Sequence, residues 1–207
     1  MATYTTITLI NHSLLLCGAS PITALSDDSA NARSMNTIFE NCMKGFLTET
    51  RWSFSTTRSS LVTNSTTGLF PWTFGDENTV YNRPGTTGSC LRVFEMSDKY
   101  AVWREEGEYI ISDTADLGAR WAWYNTEVGV WRPKAVIAFM DKLCADICYM
   151  LLNSIDKAEA FLKKYESVSL PDAMAENGQT GGQQQVKDDD WTDAKGGYGT
   201  NSSRSYG

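Results

Sequence analysis

The sequence predicts a mainly α fold, an antiparallel helical bundle with a small inserted β-sheet and loop region and an extended C-terminal tail. Three observations carry this. Apolar residues recur at helical spacing near both ends of the chain. Six of the seven tryptophans fall between Trp52 and Trp131, among β-favouring residues and turn signals. From Asn177 onward Gly, Gln, Ser, Asp and Thr dominate, a composition too poor in apolar area to offset its own ordering entropy.

The elements follow in order. Ile7, Ile10, Leu14 and Cys17 share one helical face, with Gly18 as a stop and Pro21 just beyond, so the first helix spans residues 5–17. Ser26 is a capping residue with Asp27 and Asp28 in the first turn, where the helix dipole favours carboxylates. The apolar stripe of Met35, Phe39, Cys42 and Phe46, widened by Ile38 and Met43, carries that second helix to residue 50.

In the middle third, Leu91-Arg-Val-Phe reads as a strand, and residues 100–103 and 109–112 read as a hairpin around Glu105-Glu106-Gly107-Glu108. Residues 120–126 place Trp121 and Trp123 on one strand face. Helix returns at Pro133, a residue suited to a first turn. Its wide apolar surface (Ile137, Met140, Cys144, Ile147 and Leu151, broadened by Phe139, Leu143 and Met150) implies a central helix contacted on several sides. A last helix over 154–166 carries Ile155, Ala158, Phe161, Leu162 and Tyr165 and extends past Pro171 as a further turn. The expected segments are 1–51 and 132–176 for the bundle helices, 52–131 for the aromatic β and loop region, and 177–207 for the tail.

Composition narrows the function. The chain has 207 residues and a formal net charge of -7, which disfavours sequence-independent nucleic-acid binding, since that needs clustered Lys and Arg against phosphate. The five cysteines include no Cys-x-x-Cys pair and read as small buried thiols of a reducing compartment. Cys144 and Cys148 are four apart, a spacing that suits zinc, but His12 is the single imidazole, so no metal is expected. The N-terminus lacks a basic region before its interrupted apolar run, and nothing approaches the ~20 apolar residues of a membrane span. A soluble protein made in the cytoplasm is expected.

No phosphate loop, dinucleotide fingerprint, nucleophile elbow, zinc-protease motif or calcium loop occurs, so no cofactor is expected. With one His, a His-dependent catalytic arrangement has little to build on. Glu105, Glu106 and Glu108 crowd one turn; paired carboxylates of that kind cleave glycosidic bonds only at a defined separation, and a solvated hairpin tip accounts for them better. Asp188, Asp189 and Asp190 read as a solvated charge run rather than a cation site. Base or sugar stacking on the tryptophans would want a basic groove or exposed rings, so buried or interface aromatics are the reading preferred here.

The order of several stretches resembles the head-to-tail adaptor family of short-tailed phages, known as tail tubular protein A. They are Leu14-Leu-Leu-Cys-Gly-Ala-Ser-Pro21, Asp27-Asp28 followed by Ala30-Asn-Ala-Arg33, Arg51-Trp-Ser-Phe54 with Arg58 close behind, Cys90-Leu-Arg-Val93, Gly107-Glu-Tyr-Ile110, and the long helix after Arg132-Pro133. The resemblance covers about residues 5–170 and weakens over 62–89 and in the tail.

The resemblance implies a non-enzymatic virion protein at the head–tail junction. Its identical subunits would form a ring, twelvefold in the family, between portal protein and tail nozzle protein, and genomic DNA would pass through the lumen without specific binding. An acidic or mixed lumen suits that passage, because a basic one would retain the polyanion. Candidate interface residues are Arg33, Arg51, Trp52 and Arg58, with Trp191, Tyr198 and Tyr206 anchoring the tail on the portal or a neighbouring adaptor. The alternatives are a phage tail-associated peptidoglycan hydrolase and a carbohydrate-binding tail component that uses exposed tryptophans.

Overall fold

The structure, a computed structural model, describes residues 4–66, 69–70, 72, 74–75, 77–86 and 88–179. Its first helix, α1 (Thr6–Cys17), opens on a reciprocal capping box between Thr5 and Thr8 and closes on Gly18 in the left-handed region (φ 84). Asn11 then pins the returning chain, its side chain exchanging two hydrogen bonds of 2.8 Å with the backbone of Ile22.

The second helix, α2 (Ala30–Glu49), is capped by Ser29, which accepts from the Ala32 N–H. The expected cap at Ser26 is corrected. The Asp27 carboxylate is taken up one turn earlier, accepting from Thr23 N, Thr23 Oγ1 and Ala24 N, so this segment closes a turn instead of starting the helix.

The helix α3 (Pro133–Met150) starts at its proline and buries eleven of its eighteen residues. It packs against α1, α2 and the C-terminal helices. Those are α4 (Ile155–Lys164), a π-helical turn at Tyr165–Ser169, and α5 (Leu170–Gly178). The widened turn lets one rod pass Pro171, whose ring and missing N–H disrupt a regular α-helical turn. The rod runs two residues past the boundary expected at 176.

Six strands fill the interval between α2 and α3: β1 (Thr56–Ser60), β2 (Thr79–Asn82), β3 (Cys90–Met96), β4 (Trp103–Glu106), β5 (Tyr109–Ser112) and β6 (Gly118–Trp123). They form two antiparallel sheets of orders β1-β6-β3 and β2-β5-β4. The β4–β5 hairpin pairs Glu106 with Tyr109 across Gly107 (φ 62) and Glu108, a two-residue turn with glycine at the position that needs positive φ.

The mainly α expectation is therefore overturned. Helices account for 47% and strands for 18%, giving a mixed α/β fold rather than a helical bundle with a small insertion. The physical reason is a second hydrophobic core. Tyr81 and Ile110 of one sheet and Val93, Met96, Ala119 and Trp121 of the other are buried together with Leu61 and Leu117. The strands thus bury apolar area of their own, separate from the helical core around Leu14, Met35, Phe46, Phe139 and Ile147.

Candidate interface on the three-stranded sheet

The joint between the two cores is the Arg51-Trp-Ser-Phe54 stretch. Trp52 is 1% exposed and its Nε1 donates to the Phe46 carbonyl at 2.9 Å. The rings of Phe46, Trp52, Phe54 and Trp131 stack in a closed cycle with centroid separations of 4.8, 5.5, 5.0 and 5.6 Å. Trp52, a candidate interface residue, is thus placed inside the subunit, where it couples the end of α2 to the start of β1 and α3.

Arg51 points the other way, onto the sheet. Its Nη1 and Nη2 donate to the two Glu95 carboxylate oxygens at 3.3 and 3.2 Å. Glu95 reaches that face because β3 is irregular. Val93 pairs with Trp121, but the register slips before Glu95 pairs with Arg120, so Phe94 is the extra residue of a bulge. Arg120 ion-pairs with the same carboxylate. Arg51 first, and then Arg120, hold the Glu95 carboxyl below the usual carboxylate range.

In β1, Arg58 stands opposite Arg120 and, among the described residues, forms no ion pair. Arg92 completes the group. Its guanidinium lies 6.0 Å from the Phe94 ring centroid, and that of Arg51 lies 5.6 Å away. Two guanidinium groups thus share one carboxylate, with Arg58 paired opposite Arg120 and Arg92 near the Phe94 ring, in a chain of net charge -7. Alongside them a groove of about 600 Å³ runs across all three strands, lined by Arg58, Ser60, Glu95, Ser97, Gly118 and Arg120 among others.

The C-terminal rod ends against this site. The Asn177 amide accepts from Ser53 N at 2.8 Å and donates to the Arg51 carbonyl at 2.9 Å. Sequence reasoning singled out Arg51 and Arg58 but missed Arg92, Glu95 and Arg120. Their convergence depends on pairing β6 with strands far away in sequence, and only the Arg51-Trp-Ser-Phe-x-x-x-Arg58 spacing hinted at it.

The remaining candidates lie elsewhere. Arg33 pairs with Asp28 on the exposed start of α2. Trp191, Tyr198 and Tyr206, like Asp188, Asp189 and Asp190, lie outside the described residues. Glu105 faces Arg83 at 3.5 Å, while Glu106 and Glu108 are exposed at the hairpin tip. Cys144 and Cys148 are buried and His12 is exposed; among the described residues, no group of three or more His, Cys, Asp or Glu side chains is arranged to hold a metal. Trp52, Trp121 and Trp131 are buried and Trp103 and Trp123 half-buried, which leaves Trp72 as the exposed indole among the described residues. No helix among the described residues is long and apolar enough to cross a membrane. No family model matches the chain, and no curated protein matches it.

Proposed function

We propose that this chain is a structural subunit that packs against copies of itself, and that the ring so formed is the head-to-tail adaptor of a short-tailed phage virion. One observation carries the packing part. Large apolar side chains stand exposed at the ends of three helices. Leu15 (60% exposed) and Leu16 end α1, Tyr149 (62%) and Met150 (65%) end α3, and Ile155 opens α4. A hydrogen bond from Cys17 Sγ to the Cys144 carbonyl (3.6 Å) ties α1 to α3 beneath them. A neighbouring copy offering the same helices would cover this surface, as staves cover one another in a ring.

The adaptor part rests on the ordered sequence stretches that resemble that family. In this reading α1 to α5 form the ring wall beneath the portal protein, and the two sheets face the tail nozzle protein. Trp191, Tyr198 and Tyr206 engage the portal or a neighbouring subunit. DNA passes through the lumen without specific binding.

The test is the native mass of the purified chain alone and after mixing with purified portal protein encoded by the same phage genome. A ring, alone or on the portal, that is lost in Leu15→Glu/Leu16→Glu supports the reading. A chain that stays monomeric in both settings overturns it.

A further inference from the structure

We propose that the arginine face of the β1-β6-β3 sheet is the docking site for an acidic segment of the same chain, Asp188-Asp189-Asp190-Trp191. The inference does not depend on the adaptor reading; under that reading, docking on the same chain is the state of the free subunit, before Trp191 engages the portal or a neighbouring subunit.

Charge complementarity comes first. Arg51 and Arg120 share the single Glu95 carboxylate, and Arg58 and Arg92 form no ion pair among the described residues. The face therefore holds unneutralised guanidinium charge, and planar guanidinium groups recognise carboxylates by paired N–H donors. Asp188, Asp189 and Asp190 are three consecutive carboxylates in the sequence.

The segment is also within reach of the face. Asn177 is bonded to the backbone of Arg51 and Ser53, so the chain leaves the described body beside the arginines. The nine residue-to-residue steps from Gln179 to Asp188 extend to at most roughly 30 Å at about 3.3 Å per residue. Three strands at about 4.8 Å spacing make a face only ~10 Å across between the outer two, so the whole groove is within range.

Covalent linkage favours the contact further. Exposed ion pairs are individually weak, but a short tether raises the effective concentration to the millimolar range. A modest site is then occupied. Trp191, directly after the carboxylates, would meet the arginines and Phe94, a setting that favours stacking of a guanidinium on an indole.

The experiment is limited chymotrypsin digestion of the full chain at low salt. It compares cleavage after Trp191 with cleavage after Tyr198 on the same segment, normalised to a synthetic peptide of residues 180–207. Docking slows the Trp191 cut about tenfold relative to Tyr198, because cleavage follows the undocked population. About 0.5 M NaCl removes the difference by screening.

Arg58→Gln/Arg120→Gln and, outside the described residues, Asp188→Asn/Asp189→Asn/Asp190→Asn each equalise the two rates. Combining Arg58→Glu/Arg120→Glu with Asp188→Arg/Asp189→Arg restores the protection. Equal rates in the unaltered chain overturn the proposal, as does protection that survives both sets of variants. Protection that fades on dilution assigns the groove to a second copy's segment and overturns docking within one chain. Equal rates together with arginine-dependent retention on duplex DNA assign the face to nucleic acid and overturn it as well.

Discussion

Lys164 donates from Nζ to Asp141 Oδ1 at 2.8 Å, joining the end of α4 to the middle of α3. The two ends of this pair are unlike. The Asp141 side chain is 2% exposed and that of Lys164 53%. Ser169, in the π-helical turn, donates to the other Asp141 oxygen. The buried carboxylate therefore fixes the C-terminal rod at the one place where its helical repeat is irregular.

Asp141→Ala should accordingly cost about 2–4 kcal/mol, because it strands the Ser169 hydroxyl and leaves a cavity in the most buried helix. Lys164→Gln should cost less, about 1–2 kcal/mol, since its amide can still donate to the carboxylate. Denaturant unfolding of the two variants checks the order. Equal and negligible losses would show that the pair only decorates the contact between α3 and α4.

The helices were legible in the sequence because their stability is written locally. The spacing of Ile10, Leu14 and Cys17 before Gly18, and the proline that opens α3, specify α1 and α3 without reference to the rest of the chain. The turn and second arm of the β4–β5 hairpin were legible through Gly107. The first arm runs 103–106 rather than the expected 100–103, because the two-residue turn draws Glu105 and Glu106 into the strand. The cap expected at Ser26 was misplaced because Asp27 is drawn back onto Thr23 and Ala24, which leaves Ser29 to cap the helix. The sheets were not legible. β1 reads Thr-Thr-Arg-Ser-Ser, with no apolar alternation, and exists because Thr57 pairs with Trp121, a partner 64 positions away. The arginine face depends on that pairing and on the Phe94 bulge, so it appears only once the strands are in register.

Two glycines with positive φ should respond differently to alanine. Gly85 (φ +82) faces the Trp121 ring, and a Cβ there would meet Cη2 at 2.8 Å and press on the Ser89 hydroxyl as well. Gly107 (φ +62) has nothing within 4 Å of the same position. Gly107→Ala then carries only the left-handed backbone cost, about 1 kcal/mol. Gly85→Ala adds displacement of a ring buried in the second core, for a total of about 2–4 kcal/mol. Thermal unfolding followed by Trp absorbance separates the two; a Gly85 variant as stable as the Gly107 variant would mean that Trp121 yields freely.

The last expectation concerns pH and sets the fold apart from one held mainly by surface charge. Four acidic groups of the helical core are held protonated. The Cys17 thiol is raised by its hydrogen bond with Cys144 and by burial. Cys42 is raised by burial, with Asp146 adding to it. Burial pushes Cys148 from 9.0 up to about 11. The Tyr165 phenol is raised by burial and by its hydrogen bond to Glu49. Each group prefers its neutral form in the folded chain, so above pH 9 the folded state binds more protons than the unfolded state and stability falls as pH rises. The thiol contribution is complete below about pH 9, the ordinary thiol value, and for Cys148 it is lost on the way to about 11. The melting temperature should be level from pH 7 to 8 and drop steeply beyond 9, and Cys148→Ala should flatten the slope between 9 and 11 whatever its effect at neutrality. A thiol reagent at pH 8 should label none of the five cysteines until denaturant is added, since all five are buried. Rapid labelling of the native chain, or a melting temperature unchanged to pH 11, would show that these thiols lie open to water and that the contact between α1 and α3 is looser than the Cys17–Cys144 hydrogen bond implies.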